Sequence, residues 1–325
     1  MNYEISLKNN IFDLPELKKV NKGLEKFVSE QYSETAELTS PFLLGRGKKL
    51  RPLLTILCST FYKKFEDNNL NVAIASELIH TASLIHDDII DSAKTRRGIS
   101  TINHTRGNQM AVLSGDYLFA KAFELLAPYN SPEIIRIMTV AVREMSQGEI
   151  IQLQNLYNTG FTQDEYFNYV KKKTASLISA CCESGAIIGE VPDNKIKHLR
   201  DFGIHLGMAF QVVDDLLDFT AKSNNLGKPT KKDLSQGVLT LPVIYLLNNK
   251  SEGEKVKAII DNKELNDSNL EYVTELLHKH DAIDYTYHIA KEEIRKALNA
   301  LAEMPDVPVK RTLTRLTHYI LERNS

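Results

Sequence analysis

Proline and glycine are scarce in this 325-residue chain, at 10 and 15 residues, too few for the many turns of a large β protein. That scarcity excludes a sandwich or barrel and leaves helices as the main building element. Cysteine is scarcer still. Cys58, Cys181 and Cys182 have no metal-ligand spacing and cannot make a disulfide framework. The adjacent pair reads as small residues on a buried helix, and reduced thiols fit a cytoplasmic setting. A net charge of −2 gives no global attraction to nucleic acid or to an anionic membrane. No apolar stretch reaches transmembrane length, and residues 1–10 are too polar for a signal peptide, so an integral membrane protein is not expected. Low-complexity segments, repeats of solenoid period and Gly/Ser-rich linkers are absent too. The expectation is one domain over residues 1–325.

What the chain does have is helical periodicity on an ordinary globular composition, 42% hydrophobic and 25% charged. Apolar residues recur at helical spacing over 14–32, 50–65, 70–92, 109–127, 132–157, 164–189 and 195–220. Several of these exceed the average globular helix. The fold class is therefore all-α, a large helical bundle with long central helices. From residue 248 onward the sequence turns polar and amphipathic, which predicts shorter surface helices packed around the bundle.

Within the 70–92 stretch lies IHDDIIDSAKTRR. Asp87, Asp88 and Asp91 interrupt an otherwise apolar helix, with Ile89 and Ile90 between them. Residues three and four apart on a helix are about 5–6 Å from one another, so the carboxylates crowd one face. Like charges on an apolar helix repel and resist burial. A bound cation resolves both problems, and oxygen-rich, phosphate-bridged sites suit Mg²⁺. The same spacing returns in FQVVDDLLDF, with Asp214, Asp215 and Asp218. A lone DDxxD is as readily a solvated acidic face, but two copies on apolar helices predict paired helices whose carboxylates hold several divalent ions against a diphosphate.

The cations form a second, separate set. GRGKKLRP at 45–52 places Lys48 and Arg51 beside glycines at the start of a helix, where unpaired N–H groups favour an anion. His80 lies one to two turns before Asp87. Arg96 and Arg97 leave the first acidic helix in a loop closed by Gly98, and arginine suits bidentate phosphate binding. Lys173, in KKKT, is expected to point inward, with Lys171 and Lys172 on a solvated face. The loop 222–234 is polar, contains Lys228, and has the character of a lid. No histidine or serine nucleophile pattern accompanies these groups. Acid clusters on apolar helices with separate phosphate-binding cations predict a greasy substrate carrying a diphosphate head.

GRGKKLRP, LIHDDIIDSAKTRRG, SGDYL at 114–118, QGE at 147–149, KKKTASL, GMAFQVVDDLLDF, LGKPTKKDL and GVLTLP at 237–242 occur in an order that resembles the trans-polyprenyl diphosphate synthases, enzymes of the all-α isoprenoid synthase fold with a central cavity. The resemblance covers about residues 45–242. It implies that both aspartate triads bind Mg²⁺, roughly three ions, bridged to an allylic diphosphate such as farnesyl diphosphate. It further implies that Arg96, Lys173 and Lys228 hold the allylic diphosphate, and that Lys48, Arg51, His80 and Arg97 hold isopentenyl diphosphate. Thr174 and Gln211 then match polar groups near the developing allylic cation. Two positions depart from the family pattern: Arg46 replaces one of two paired glycines, and Val238 stands where lysine is common. Small residues, Ala82 and Ser83, about one turn before Asp87 imply an open tunnel and a product of about seven to ten isoprene units, since one helical turn, about 5.4 Å, approximates one extended unit. Phe119 and Phe123 are candidate floor residues. A homodimer is implied, with helices 109–127 and 132–157 as the interface. The competing readings are a shorter-chain farnesyl or geranylgeranyl synthase, and a class I terpene cyclase, which would lack the isopentenyl site.

Overall fold

In the computed structural model the described residues are 12, 14–45, 47–129, 131–220, 231–249 and 252–322. Lys228, Arg46 and most of the lid segment lie outside them. The described chain is helical apart from one small hairpin. It divides into two compact units.

Unit 1 comprises residues 1–142, 177–200 and 301–313. Helix α1 (Pro15–Ser29) opens with proline at its first position, where no N–H is needed, and buries Leu17, Val20 and Leu24 along one stripe. Helix α2 (Ser33–Leu43) is followed by the glycine loop and by α3 (Leu50–Cys58), which is buried from Pro52 to its end. The periodicity had suggested a helix to residue 65. It stops earlier because hydroxyls turn back onto the last turn: Ser59 Oγ donates to the Ile56 carbonyl at 2.7 Å, and Thr60 Oγ1 to that of Leu57 at 2.9 Å.

Helix α4 (Leu70–Ile90) is apolar nearly all round, as a helix enclosed by others must be. Beyond it, strands β1 (Thr95–Arg96) and β2 (Ile99–Ser100) pair across a two-residue turn. Arg97 (φ 51°) and Gly98 (φ 79°) are both left-handed, the geometry a tight hairpin of this hand requires. Helices α5 (Ile102–Arg106) and α6 (Asn108–Leu126) follow. Gly115 of α6 faces the His86 ring so closely that a β-carbon there would lie 2.2 Å from Nε2.

Unit 2 comprises residues 143–176, 201–300 and 314–325. Helix α7 (Pro132–Gln154) contributes its second half. Helix α8 (Gln163–Val170) begins at a reciprocal cap between Thr162 and Glu165 and runs into a π-helical turn, Lys171–Ala175. A β-carbon on Gly148 would meet the Lys173 backbone nitrogen at 2.5 Å, and one on Gly207 the Ala175 α-carbon at 2.5 Å. Two glycines thus admit two helix backbones against this turn, which explains the glycines of QGE and GMAF. Helix α9 (Ser176–Ile188) belongs to unit 1 from residue 177, as does the start of α10 (Asp193–Thr220), whose part from residue 201 carries the second acidic triad in unit 2. After α11 (Lys232–Ser235) and α12 (Leu241–Leu247) come α13 (Glu252–Asp261), α14 (Asp267–Lys279), α15 (Ala282–Ala302) and α16 (Pro308–Leu321). The expectation of short surface helices beyond residue 248 needs correction. Helix α15 has 21 residues and buries Ala290, Ile294 and Ala297; its amphipathic stripe forms core, not a covering layer.

Candidate functional site

In unit 1 the first acidic triad occupies the end of α4, and the three carboxylates are not equivalent. Asp88 is buried, 2% exposed, and accepts a hydrogen bond from Arg96 Nε at 2.7 Å. Asp87 and Asp91, one turn apart, are half-buried. The hairpin that delivers Arg96 is tied to the same helix end. Thr101 Oγ1 donates to the Ala93 carbonyl at 2.6 Å, and Asn103 Nδ2 donates to the carbonyls of Asp88 and Ala93 at 3.0 and 3.1 Å.

Three of the predicted cations, Arg51, Arg96 and Arg97, lie around His80. Burial holds its imidazole well below its ordinary range, and the charges of Arg51, Arg97, Arg96 and Lys49 push it the same way. His80 is therefore neutral at pH 7, one ring N–H available to donate among several guanidinium and ammonium groups. Such a concentration of positive charge calls for an anion. The glycine loop belongs to this group: a β-carbon on Gly47 would lie 3.1 Å from Arg97 Nη1. Lys48 is exposed, its ammonium 5.6 Å from the Phe12 ring centroid. Its neighbour Lys49 is buried, paired with Glu77 at 3.1 Å and donating to the Leu43 carbonyl at 2.7 Å. Of the tunnel residues, Ala82 is fully buried, and Ser83 is half-buried with its hydroxyl on the His80 carbonyl at 2.8 Å. Phe119 and Phe123 are half-buried on α6, and Phe119 lies against the His86 ring, centroids 5.8 Å apart.

In unit 2 the second triad again has a buried middle member. Asp215 is 1% exposed. Tyr166 Oη donates to its Oδ2 at 2.6 Å, and Gln211 Nε2 to its Oδ1 at 2.9 Å. Thr174 Oγ1 donates in turn to Gln211 Oε1 at 2.7 Å. Thr174, Gln211 and Asp215 thus form one hydrogen-bonded chain, and Tyr166, which the sequence did not single out, completes it. Burial raises the Asp215 carboxyl well above its ordinary range, and the nearby Asp233 charge adds to this. Asp218 accepts the backbone N–H groups of Lys232 and Asp233 at 3.1 and 3.2 Å, so it caps α11. Burial and Asp233 bring its carboxyl up to about 6. Asp214 is half-buried.

Lys173 is paired with Glu149 at 2.5 Å and donates to Gln152 Oε1 at 2.9 Å. This gives the QGE segment a role in placing it. Lys172 departs from the solvated face assigned to it. It pairs with Glu144 and donates to Gln147 Oε1 at 2.9 Å, because the π turn rotates it toward α7.

The donor chemistry fits a hard divalent cation. Asp87 and Asp91 present carboxylate oxygens from one helix turn, and Asp214 does so on α10. Among the described residues no three such side chains are gathered into a metal-sized group.

The polyprenyl synthetase family model matches residues 34–277. The chain belongs to the polyprenyl synthetase family. It is 36% identical to the heptaprenyl diphosphate synthase component 2 of Geobacillus stearothermophilus, over 95% of this chain and 96% of that protein. The crystal structure of a decaprenyl diphosphate synthase from Rhodobacter capsulatus superimposes with a TM-score of 0.89 at 35% identity, covering 95% of this chain and 96% of the other. A polyprenyl synthase from Caulobacter crescentus, complexed with calcium and isoprenyl diphosphate, matches at 30% identity and TM-score 0.87 over 98% of this chain and 100% of the other. The fold is that of the isoprenoid synthases, and the enzyme is a polyprenyl diphosphate synthase, a prenyltransferase of a family that uses divalent cations. No helix among the described residues is long and apolar enough to cross a membrane.

Proposed function

We propose that this prenyltransferase condenses isopentenyl diphosphate with an allylic diphosphate such as farnesyl diphosphate, in the cytoplasm, to an all-trans product of about seven to ten isoprene units. The observation that carries the reading is the grouping of Arg51, Arg96 and Arg97 around the buried His80 ring, in the unit whose helix α4 also ends in Asp87 and Asp91. That is an anion site in the same unit as metal-ligand carboxylates. A class I cyclase has no use for a second diphosphate site. Product length is supported by the small residues Ala82 and Ser83 and by the heptaprenyl and decaprenyl relatives.

In this reading Asp87, Asp88 and Asp91 together with Asp214, Asp215 and Asp218 would hold Mg²⁺, roughly three ions in all, with Asp88 also fixed by Arg96 and Asp215 by Tyr166 and Gln211. When bound, divalent cations there would supply charge stabilisation to the departing diphosphate, worth several kcal/mol of barrier. Arg96, Lys173 and Lys228 take the remaining charge of the allylic diphosphate. Thr174 and Gln211 are dipoles beside the allylic cation, and their mutual hydrogen bond holds them oriented before the reaction. Lys48, Arg51, Arg97 and the His80 N–H fix isopentenyl diphosphate so that its double bond meets the cation. The new C–C bond forms, and the diphosphate takes the proton whose loss restores the alkene. No protein nucleophile is required. Water, which would quench the cation, has to be kept out of the site while it exists.

The direct test incubates the purified chain with isopentenyl and farnesyl diphosphates, with and without Mg²⁺, and measures product mass after dephosphorylation. A product of about 35–50 carbons, absent without Mg²⁺, is expected. A farnesyl or geranylgeranyl product, or a cyclic hydrocarbon, overturns the reading.

For assembly, the homodimer reading is supported by α6, whose Met110, Val112 and Leu113 are 41, 42 and 63% exposed, more apolar surface than a solvated helix presents. Activity of the chain alone as a dimer in light scattering is expected. Activity only after adding a second, different protein would place it with two-component synthases.

A further inference from the structure

Lys49 is an unusual residue to find buried in the same group as three arginines, Arg51, Arg96 and Arg97. It sits at the junction of three helices in unit 1. Its backbone is left-handed, φ 47°, at the entry to α3, where its carbonyl accepts the Leu53 N–H at 3.0 Å and closes the first turn. Its ammonium reaches the Leu43 carbonyl, at the negative end of α2, and Glu77 in the middle of α4. Glu77 lies three residues before His80 on the same helix, so the two share a face. Lys49 therefore links both ends of the 44–48 loop to the helix that carries His80 and the first acidic triad.

Stability alone does not account for such a pair, because a well-packed apolar pair in its place is often equally stable. What the pair fixes is register. Lys48 immediately precedes Lys49, and Arg51 follows two residues later. Gly47, one residue further back, packs against Arg97. A rotation at residue 49 would displace Lys48 and Arg51 together and shift Gly47 against Arg97.

We propose that Lys49, held by Glu77 and the Leu43 carbonyl, is the positioning residue of the isopentenyl diphosphate site. It touches no substrate; it sets the loop and the start of α3 so that Lys48 and Arg51 converge with His80 and Arg97 on one diphosphate. This rests on the reading of those four residues as the isopentenyl site.

The test is steady-state kinetics with isopentenyl and farnesyl diphosphates varied separately, on Lys49→Met, Glu77→Gln, Lys49→Arg and the double variant Lys49→Met with Glu77→Leu, each with a thermal melt. Lys49→Met and Glu77→Gln are expected to raise KM for isopentenyl diphosphate by about tenfold or more, with KM for farnesyl diphosphate and kcat at saturation changed by less than about threefold. Lys49→Arg keeps the charge and is expected to retain most of the affinity. The double variant removes the uncompensated buried charge, so it is expected to melt near wild type and still show the raised KM. An isopentenyl KM at the wild-type value in the double variant, or both KM values rising together with a fall in kcat, overturns the proposal. Lys48→Ala serves as the reference. If it leaves the isopentenyl KM unchanged, the underlying site reading fails; if it raises that KM while the Lys49 variants do not, the positioning role alone fails.

Discussion

Asp88 and Asp215 stand at the same position of the same five-residue motif, each nearly inaccessible to solvent, yet they are stabilised by opposite means. Asp88 is answered by a cation, Arg96, on a hairpin fastened to the end of its own helix. Asp215 is answered by neutral donors, Tyr166 and Gln211, with another carboxylate, Asp233, nearby. The first buried carboxylate has a guanidinium set against it. In the second, burial favours the protonated form. The outer members differ too, since Asp91 stays at a helix end while Asp218 is engaged as the cap of α11. Identical spacing in sequence therefore does not mean identical electrostatics; the helix fixes which carboxylates share a face, and the surrounding elements decide their charge.

The largest expected effects come from the half-buried members. Asp87→Ala and Asp214→Ala should each lower kcat by about 10³-fold or more, as loss of metal-ion charge stabilisation requires, measured by incorporation of labelled isopentenyl diphosphate. A comparable rate for either variant would break the assignment of that triad to metal. Next come the buried members, where the two triads should part. Asp88→Asn leaves Arg96 beside a neutral group and should cost about 2–4 kcal/mol of stability. Asp215→Asn relieves a carboxylate already disfavoured by burial and should cost about 1 kcal/mol or less. Urea titrations that ranked them in the reverse order would overturn the contrast.

Product length sharpens the comparison from another side. Five and four residues before Asp87 are Ala82 and Ser83; the corresponding residues before Asp214 are Ala209 and Phe210. Ala82→Tyr or Ser83→Phe is expected to shorten the main product by several isoprene units on thin-layer chromatography. Ala209→Tyr, at an equally buried position, is expected to overpack the core by about 1–3 kcal/mol without a new length limit. Equal shortening from both sides would remove the special role of the first triad.

The smallest effect concerns a third buried carboxylate. Glu293 is pushed up by burial, but hydrogen bonds from His205 and Lys296 and their charges outweigh this, and its carboxyl lies below the ordinary range. A lowered carboxyl binds fewer protons in the folded state, so its stabilisation is present above the unfolded value, about 4.3, and is lost as pH falls through the folded value. Glu293→Gln should flatten the acid limb of stability against pH below about pH 5, read from melting temperatures. An unchanged acid limb would show that neutral and charged partners serve this carboxylate equally.

Much of the chemistry was legible in advance because it is local. DDxxD on an apolar helix places its first and last carboxylates one turn apart on one face, while the middle one turns elsewhere and is buried in both triads, and scarce glycine and proline already commit the chain to helices. GRGKKLRP, Arg96 and Arg97 pointed to an anion for the same reason, since they are short, charged and glycine-bearing. What the sequence could not show were the partners brought from far along the chain. Lys49 meets Glu77 across 28 residues and Tyr166 meets Asp215 across 49, and neither spacing has a period that a linear reading detects. Lys48 and Lys49 look alike in sequence. Only packing against α2 and α4 buries one and leaves the other exposed. The chain alone determined which residue types stand one helical turn apart; the tertiary structure decided which of them keep a charge, because burial and distant partners set the cost of ionisation.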